Sequence, residues 1–503
     1  MRRMRIPWLL LLITLISSFI FFTNLGGQDY SLDEPETLTV VKSINIYGYP
    51  SAWDGKNITI TANGKDFTLI KEIYVWTWHP WLQHYIAYFG QSIFGDTAGD
   101  IRTLFALFGV LTVVFIYFFS NYLFKNKLVA SLVSIHLVFL LPFFLYVRQI
   151  RYYSLTAFFS LIYLFLLFKL FKSEWNKKLT LTLILVNFFL FMSNYLSWAG
   201  SFLCFFIIAV YKKNKQAILY SCVFIFFALG WLYFFKPIGG NIFMFFSDKN
   251  LTYILKNLSY LNNYIFSLIF LIPIYFIKIY RKYFLLFCFW IFVKVFCISV
   301  FQIPHGRYLI DLFPIFMLFY GIVYSFLISK KQYLFLTITL LITVLTNINT
   351  FIYIPRVYAI ELTGKYENVM PQIGEYLKSQ YKTGDLFWTN EYPWYLYLSS
   401  KVPHVSKICD IKTNKLEGPT IVTSQNKIRW FIFFQNDDRL VQDFSQIPCF
   451  GNKWNSILKT NYHRVIFPIR DNTYLINDPD IVNRSFPPTK MKKNSIIIYE
   501  KDY

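Results

Sequence analysis

The feature that most constrains this chain is a succession of apolar runs, each close to the length that crosses a lipid bilayer. A basic start at residues 1–5 precedes an apolar stretch at residues 6–22, which no small-residue cleavage site follows. A bilayer-spanning helix needs about 20 apolar residues. We therefore predict an α-helical polytopic membrane protein with about eleven transmembrane helices. The ten runs after the first cover residues 103–124, 128–147, 153–172, 179–196, 199–211, 217–235, 263–280, 283–302, 308–328 and 333–354.

Composition excludes an ordinary soluble enzyme. Hydrophobic residues make up 56% of the 503 residues and charged residues only 15%, whereas soluble domains carry about 25% charged residues. The net charge of +22 raises the question of nucleic acid. Most Lys and Arg, however, stand in short loops between apolar runs, which is a topology signal, and we expect no nucleic-acid partner.

Basic residues favour alternate loops, and this asymmetry predicts the orientation. The loops expected in the cytoplasm hold a single acidic residue, Glu174, and many basic ones, whereas the short outside loops hold fewer. Because positive loops stay cytoplasmic, the N-terminus is expected inside and the C-terminal part outside a plasma or inner membrane. The basic residues of the cytoplasmic loops are Arg2, Arg3, Arg5, Lys125, Lys127, Lys169, Lys172, Lys177, Lys178, Lys212, Lys213, Lys215, Lys278, Arg281, Lys282, Lys330 and Lys331.

Two domains follow from this reading. Residues 1–354 form the membrane domain, in which residues 23–100 are a long first external loop. Residues 355–503 are less hydrophobic and predict an extracytoplasmic α/β domain, with a helix at 366–382 and strands near 386–389, 430–434 and 495–499. Cys409 and Cys449 fall there, and the sequence does not decide whether they form a disulfide.

The first external loop carries a pair of carboxylates, Asp33 and Glu34, about ten residues after the first apolar run. A carboxylate so close to the membrane surface could take a proton from an acceptor hydroxyl as a general base. An isolated acidic pair also fits a solvated loop.

Several arginines stand at the outer ends of apolar runs, where positive charge is disfavoured. Ionisable residues at the hydrocarbon boundary are costly and indicate function, and guanidinium groups pair well with phosphate oxygens. Snorkelling at the interface is the alternative. The residues concerned are Arg102, Arg148, Arg151 and Arg307, with Tyr152, Tyr308 and Asp311 beside them.

The aromatic stretch at residues 76–81 includes His79 and leads into an amphipathic segment at 82–94, which predicts a helix along the membrane interface. His79 fits either amphipathic filler or, with Asp33 and Glu34, a cation site.

Five stretches in this order and on this side of the membrane resemble the polyprenyl-phosphate-sugar-dependent glycosyltransferases of the GT-C fold, over residues 1–354. By pattern the resemblance is to protein O-mannosyltransferases and to lipid A aminoarabinose and core-sugar transferases. Where those relatives often have a second proline, this chain has Trp81. The stretches are the Asp33-Glu34 pair, Trp78-His79-Pro80-Trp81-Leu82, Asp100-Ile101-Arg102 with Leu104–Gly109, Val147–Leu155, and Arg307-Tyr308-Leu309-Ile310-Asp311 through Pro314.

The resemblance implies roles for individual residues. Asp33 matches the family's catalytic carboxylate, and Glu34 its neighbour. Arg102 matches a basic residue that contacts the lipid-linked phosphate. Three further basic positions face the same cavity and are expected to bind the donor phosphate: Arg148, Arg151 and Arg307. The candidate substrate contacts are His79, Tyr152, Tyr308 and Asp311.

The expected function is transfer of a sugar from a polyprenyl-phosphate donor to an extracytoplasmic hydroxyl on a glycan, lipid or protein, with inversion. No cofactor is required, and a divalent cation is compatible with the site. The alternatives are an oligosaccharide polymerase or ligase that uses a lipid pyrophosphate donor, and a transporter or flippase of lipid-linked sugars. The sequence does not reveal the sugar or the acceptor.

Overall fold

A computed structural model describes residues 8–27, 30, 33–55, 67–70, 73–174, 176–235, 250–264, 268, 274–300, 306–345, 354–364, 369–389, 397, 400–403, 427–435, 462–469 and 494–501. They divide into two compact units. The first contains the described residues of Met1–Gly27 and His79–Gly364. The second contains those of Gln28–Trp78, Lys365–Asn477 and Pro487–Tyr503.

The described part of the first unit is helical, as the apolar runs predict. Two 3₁₀ segments, Lys278–Tyr280 and Gly306–Leu312, lead directly into helices. The helices are α1 (Trp8–Phe22), α3 (Leu82–Phe94), α4 (Ala98–Phe124), α5 (Lys127–Val138), α6 (Leu141–Val147), α7 (Tyr153–Phe171), α8 (Lys177–Phe191), α9 (Tyr195–Tyr211), α10 (Lys215–Phe235), α11 (Asn250–Tyr264), α12 (Arg281–Val300), α13 (Phe313–Ser329), α14 (Tyr333–Leu345) and α15 (Ile354–Thr363). One helix of the second unit, α2 (Glu34–Tyr47), falls between α1 and α3 in the chain.

Several of these helices are long and apolar enough to cross a membrane. Among the described residues five meet both requirements, and a sixth span results if the bent pair α5 and α6 is counted as one. The total of about eleven falls partly on residues outside the described ranges and stays a prediction. The five segments are Ala98–Phe124, Tyr153–Phe171, Lys215–Phe235, Lys278–Val300 and Gly306–Ser329.

The run at 128–147 differs from the single span that the sequence predicts. It forms α5 and α6, which meet at an angle of 67°. Pro142 lies in the first turn of α6, where its fixed φ favours a new helix start and its ring is incompatible with a continuing helix. The bend brings the chain into the short turn Arg148–Tyr152, which carries three of the predicted site residues.

The region before α12 also differs from the sequence reading. Helix α11 lies in a stretch that the hydropathy pattern assigns to a loop. The apolar residues of this helix occupy only one face, so its mean hydropathy is low and does not indicate a span. Much of the predicted span at 263–280 lies outside the described residues.

Helix α4 is the central element of the first unit and contacts α1, α3, α5 and α7. Its start is fixed by a capping box in which the Thr97 hydroxyl accepts from the Asp100 backbone N–H and the Asp100 carboxylate accepts from Thr97. Helix α3 crosses it closely, since a Cβ added to Gly90 would lie 2.9 Å from the Ile101 carbonyl oxygen. The predicted helix at residues 82–94 is thereby confirmed as α3, and its place at a membrane interface stays a prediction.

The part of the second unit that comes from the predicted first external loop contains one helix and a two-stranded sheet. Pro35 lies in the first turn of α2, and the acidic residues Glu34 and Glu36 favour the positive end of the helix dipole. Strands β1 (Phe67–Ile70) and β2 (Ile73–Trp76) form an antiparallel hairpin. Buried Trp76 packs with Val40 and Ala52 and joins α2 to the hairpin.

The C-terminal residues supply a helix and a four-stranded sheet. Helix α16 (Val369–Gln380) precedes strands β3 (Asp385–Thr389), β4 (Lys427–Gln435), β5 (Tyr462–Ile469) and β6 (Asn494–Lys501), which lie in the order β3-β4-β6-β5. Strands β3 and β4 are parallel and the other pairs antiparallel. The predicted helix at 366–382 and the three predicted strands coincide with α16, β3, β4 and β6. Cys409 and Cys449 lie outside the described residues.

First-loop and C-terminal residues meet inside this unit. The Tyr397 hydroxyl donates a 2.5 Å hydrogen bond to Asp54, and the Lys42 ammonium lies 4.2 Å from the centre of the Tyr397 ring. Tyr30 packs on the apolar core formed by α16, β3, β4 and β6. Residues from both ends of the sequence therefore stabilise one unit.

Candidate functional site

The turn between α6 and α7 carries Arg148, Arg151 and Tyr152, all of them buried in the first unit. Burial of a guanidinium requires acceptors for its N–H groups, because an uncompensated charge in a low-dielectric interior is costly. The two arginines satisfy that requirement in different ways.

Arg148 donates to backbone carbonyls at the ends of two helices. Its Nη1 donates to the Ile20 oxygen at 3.0 Å, and its Nη2 donates to the Asn24 oxygen at 3.2 Å and the Glu361 oxygen at 3.4 Å. The Glu361 carboxylate lies 3.9 Å from Nη2. Because the last carbonyls of α1 and α15 lack intrahelical donors, a buried cation there acts as a C-terminal cap.

Arg102 and Asn24 complete the same arrangement. Arg102, on α4, is buried and donates from Nη1 to the Leu25 oxygen at 2.7 Å. Asn24 has a left-handed φ of 56° and donates from its amide to the Glu361 and Gly364 oxygens at 3.0 and 2.9 Å. Arg102 and Arg148 therefore hold consecutive carbonyls, those of Leu25 and Asn24, where the chain leaves α1.

Arg151 faces side chains. Its Nη2 lies 3.0 Å from His79 Nε2. Since arginine only donates, this nitrogen of His79 accepts, and the ring proton is on Nδ1. The His79 and Tyr152 ring centres are 5.9 Å apart. Gln83 on α3 accepts the Tyr152 backbone N–H at 3.0 Å and fixes the turn against α3.

Arg307 and Tyr308 lie on the 3₁₀ segment Gly306–Leu312 and belong to the surroundings of Tyr152. The Arg307 guanidinium lies 5.4 Å from the Tyr308 ring centre, and both residues are electrostatic neighbours of the Tyr152 hydroxyl, as is Arg151. The structure therefore brings together five of the predicted residues. We call this group the His79 cluster: His79, Arg151, Tyr152, Arg307 and Tyr308.

Asp311 lies deeper and belongs to a different contact. It forms an ion pair with Lys294 of α12 in which both side chains are fully buried. Sequence reasoning missed Lys294, although a lysine inside the apolar run 283–302 is itself a signal of function. The predicted role of Asp311 as a substrate contact stays a prediction.

Asp33 and Glu34 belong to the second unit and begin α2. Asp33 is the N-cap residue and is partly exposed, while the Glu34 side chain is fully buried. The sequence predicts an acidic loop here, whereas the structure shows the start of a helix. The approach of Asp33 to the arginines of the first unit stays a prediction.

The His79 cluster has the composition of an anion site. Two guanidinium groups and phenol hydroxyls can hold phosphate oxygens, and the unprotonated Nε2 of His79 orients one guanidinium. Within the part of the chain that the structure describes, no group of three or more His, Cys, Asp or Glu side chains is arranged to hold a metal ion. A cation site at Asp33, Glu34 and His79 stays a prediction.

Comparison with known proteins identifies the fold. No protein-family model and no curated protein sequence matches the chain. The chain is similar to the crystal structure of ArnT from Cupriavidus metallidurans bound to undecaprenyl phosphate, with a TM-score of 0.59, 10% identity and 97% of each chain covered. The apo structure of that protein gives a TM-score of 0.53 at 11% identity, with 97% of each chain covered.

An archaeal structure extends the comparison. The chain is similar to the oligosaccharyltransferase of Archaeoglobus fulgidus in complex with zinc and sulfate, with a TM-score of 0.50 and 9% identity over 85% of this chain and 68% of that one. The suspected GT-C fold is thus confirmed, and the chain is a mostly helical membrane protein with the fold of these glycosyltransferases.

Proposed function

We propose that this protein is an integral-membrane glycosyltransferase that moves a sugar from a polyprenyl-phosphate donor to a hydroxyl on the outer side of the membrane. The observation that carries the proposal is the likeness to ArnT over 97% of both chains, which extends through the membrane helices and the C-terminal residues. The proposal starts from the fold reported above, that of a membrane protein with a GT-C glycosyltransferase fold.

A polyprenyl-phosphate donor is supported by two observations. The matched ArnT structure is bound to undecaprenyl phosphate. In this chain, Arg151 and Arg307 lie near the same hydroxyl, that of Tyr152. We assign the donor phosphate to the His79 cluster, with Arg102 and Arg148 beside it at the end of α1. The lipid tail would lie against the apolar helices.

The chemistry assigned to these groups is one inverting displacement. Asp33 takes the proton of the acceptor hydroxyl, whose oxygen forms the new bond to the anomeric carbon from the face opposite the phosphate. The bond from that carbon to the phosphate oxygen breaks, and the arginines stabilise the charge on the departing phosphate. Because the charge is held by guanidinium groups, the leaving group needs no general acid. Glu34 keeps its predicted place beside Asp33.

The topology that goes with this mechanism has about eleven spans, a cytoplasmic N-terminus and a C-terminal α/β domain outside a plasma or inner membrane. The acceptor is a glycan, a lipid or a protein. No cofactor is required, and chelation with EDTA tests whether a divalent cation contributes.

A lipid pyrophosphate donor is the second candidate, because the chain is also similar to an oligosaccharyltransferase over 85% of its length. The two donors leave different products. A monophosphate donor releases polyprenyl phosphate, whereas a pyrophosphate donor releases the pyrophosphate.

The test incubates membranes containing the protein with a radiolabelled polyprenyl-phosphate sugar and separates the lipid products. We expect release of polyprenyl phosphate, its loss in Asp33→Asn, and unchanged expression and donor binding in that variant. Asp96→Asn, which removes an exposed carboxylate before α4, is the control and should retain transfer. Near-normal turnover in Asp33→Asn would remove the mechanism. A parallel reaction supplies a polyprenyl-pyrophosphate sugar, and turnover of that donor alone would favour the second candidate.

A further inference from the structure

The most deeply buried charges of the described first unit are Lys294 on α12 and Asp311 on the 3₁₀ segment Gly306–Leu312. Both side chains have no exposed surface, and the ammonium donates to Asp311 Oδ2. Lys294 also donates to the Ser197 backbone oxygen at 2.6 Å, the Ser197 hydroxyl at 2.8 Å and the Ser160 hydroxyl at 3.2 Å. Because neither side chain has exposed surface, the contacts that the structure shows for this pair are with the protein itself.

Three helices contribute to the contact, and each holds Asp311 through a different group. Ser160 comes from α7 and lies 3.4 Å from Asp311 Oδ2, Ser197 from α9 donates to the same oxygen, and Lys294 comes from α12. The carboxylate is therefore a point at which the 3₁₀ segment is fastened to three neighbouring elements at once.

The packing around Lys294 depends on a glycine. A Cβ added to Gly200 on α9 would lie 2.8 Å from Lys294 Cδ and 3.3 Å from Lys294 Cα. Helices α9 and α12 thus approach closely at the height of the lysine, and the aliphatic part of Lys294 runs over the Gly200 backbone toward Asp311.

The 3₁₀ segment needs stabilising contacts with neighbouring helices. It is seven residues long, whereas 3₁₀ runs beyond three or four residues are uncommon because their hydrogen bonds are poorly aligned. Arg307 and Tyr308 of the His79 cluster lie on it, four and three residues before Asp311, respectively. Replacing a buried ion pair with apolar residues is often neutral for stability, so a stability role alone does not account for the pair.

We infer that Lys294 and Asp311 are positioning residues, which hold the segment Gly306–Leu312 so that Arg307 and Tyr308 face Arg151 and Tyr152. The inference rests on the proposed function for the identity of the phosphate ligand. Its structural part, the fastening of the 3₁₀ segment, is independent of the reaction.

The experiment uses the full chain in lipid nanodiscs and compares wild type with Lys294→Met combined with Asp311→Leu. Single variants leave an unpaired buried charge and fail to fold in many proteins, so the double variant is the informative one. Two readouts are measured: hydrogen–deuterium exchange of residues 306–312, and the affinity for undecaprenyl phosphate. Exchange in the segment should accelerate while α12 and α13 remain protected, and affinity should fall about 10-fold or more.

A charge-swapped variant, Lys294→Asp with Asp311→Lys, restores an ion pair and should recover part of both readouts. In transfer assays the double apolar variant should raise the KM for the donor more than it lowers kcat. His136→Leu with Tyr324→Phe is the matched control, because it removes a buried polar contact between α5 and α13, the 3.0 Å hydrogen bond between the Tyr324 hydroxyl and His136 Nδ1. It should leave exchange at 306–312 unchanged.

Unchanged exchange at residues 306–312 in the double apolar variant would overturn the inference. So would faster exchange with undiminished affinity for undecaprenyl phosphate. If the wild-type protein binds no undecaprenyl phosphate, the proposed function fails, and the exchange result alone decides whether the pair fastens the segment.

Discussion

Arg148 and Arg151 stand three residues apart in one short turn, are equally buried, and serve different chemistry. Arg148 donates to backbone carbonyls where α1 and α15 end and lies 3.9 Å from the Glu361 carboxylate. Arg151 contacts the imidazole of His79 and the ring of Tyr152. A guanidinium held by carbonyls and a carboxylate contributes to the fold, whereas one that faces an imidazole and a phenol ring can exchange a contact for a phosphate oxygen. The comparison teaches that a partner's chemistry, more than burial, separates an anchoring arginine from a ligand-binding one.

Arg148→Leu tests the anchoring side of this comparison most strongly. The carbonyls of Ile20, Asn24 and Glu361 lose a common donor in a buried setting, and we expect a loss of stability on the order of 3 kcal/mol. Thermal unfolding of the detergent-purified protein measures it. The control is Arg281→Leu, which removes an exposed arginine at the start of α12 and should stay within about 0.5 kcal/mol of wild type. Wild-type stability in Arg148→Leu would abolish the distinction.

Arg151→Met tests the ligand-binding side. We expect sugar transfer to fall about 100-fold, because one phosphate-stabilising guanidinium is lost, while the melting temperature changes less than in Arg148→Leu. Arg151→Lys keeps the charge without the planar fork and should give an intermediate rate. Rates and melting temperatures measured on the same preparations separate the two arginines, and parallel losses of both in the two variants would contradict the assignment.

His79 sharpens the comparison through pH. The hydrogen bond from Arg151 requires an unprotonated Nε2, so acid that protonates His79 removes the acceptor and sets two positive charges side by side. Donor affinity should rise several-fold as His79 becomes charged, because a further positive charge in the cluster attracts the phosphate. In His79→Gln the amide oxygen accepts at every pH, and the dependence should flatten. Titration of undecaprenyl phosphate binding between about pH 5 and 8 checks both curves, and identical curves would exclude His79 from the site.

The smallest effect is expected for Glu174, an exposed carboxylate that accepts hydrogen bonds from two neighbours. The hydrogen bonds that Glu174 accepts from Lys169 and Tyr122 hold the pKa of this carboxyl below its ordinary value. Because the folded-state pKa is lowered, the stabilisation is present above the unfolded pKa and is lost as the pH falls through the folded one. We expect Glu174→Gln to cost less than about 1 kcal/mol at neutral pH, since solvent screens an exposed pair. The difference from wild type should shrink as the pH falls below about 4.3, the ordinary pKa of a glutamate, and should vanish once the pH is below the lowered folded-state pKa.

The sequence predicts the individual helices and strands of this protein better than it predicts the contacts between them. Helix α3 and strands β3, β4 and β6 follow from periodicity, and α4 and α7 from hydropathy, whereas β5 was not predicted. The bend between α5 and α6 depends on Pro142 within an otherwise apolar run, and α11 escapes a hydropathy criterion because only one of its faces is apolar. The pairing of Lys294 with Asp311 was not predicted, since it depends on how α7, α9 and α12 pack, which no local pattern encodes.

The candidate residues divide in the same way. Arg151, Tyr152, Arg307 and Tyr308 were predicted as site residues because ionisable residues are rare at the ends of apolar runs, and His79 because of the aromatic stretch at residues 76–81. The sequence could not separate Arg148 from Arg151, because the carbonyls that hold Arg148 belong to residues far away in the chain. The grouping of first-loop residues with the C-terminal sheet likewise depends on contacts such as Tyr397 with Asp54.

The amide of Asn24 bonds to the carbonyl oxygen of Glu361, 337 residues further along the chain. A ribosome delivers α1 long before α15, so this contact forms only after the intervening helices have been synthesised, whereas the contacts of Arg102 and Arg148 with the same exit can form earlier. Closure of so large a loop carries an entropic cost that later contacts must offset. Truncated chains that stop before α15 lack the contact between Asn24 and Glu361, and the synthesis of α15 completes the set of contacts at the α1 exit that Arg102 and Arg148 begin.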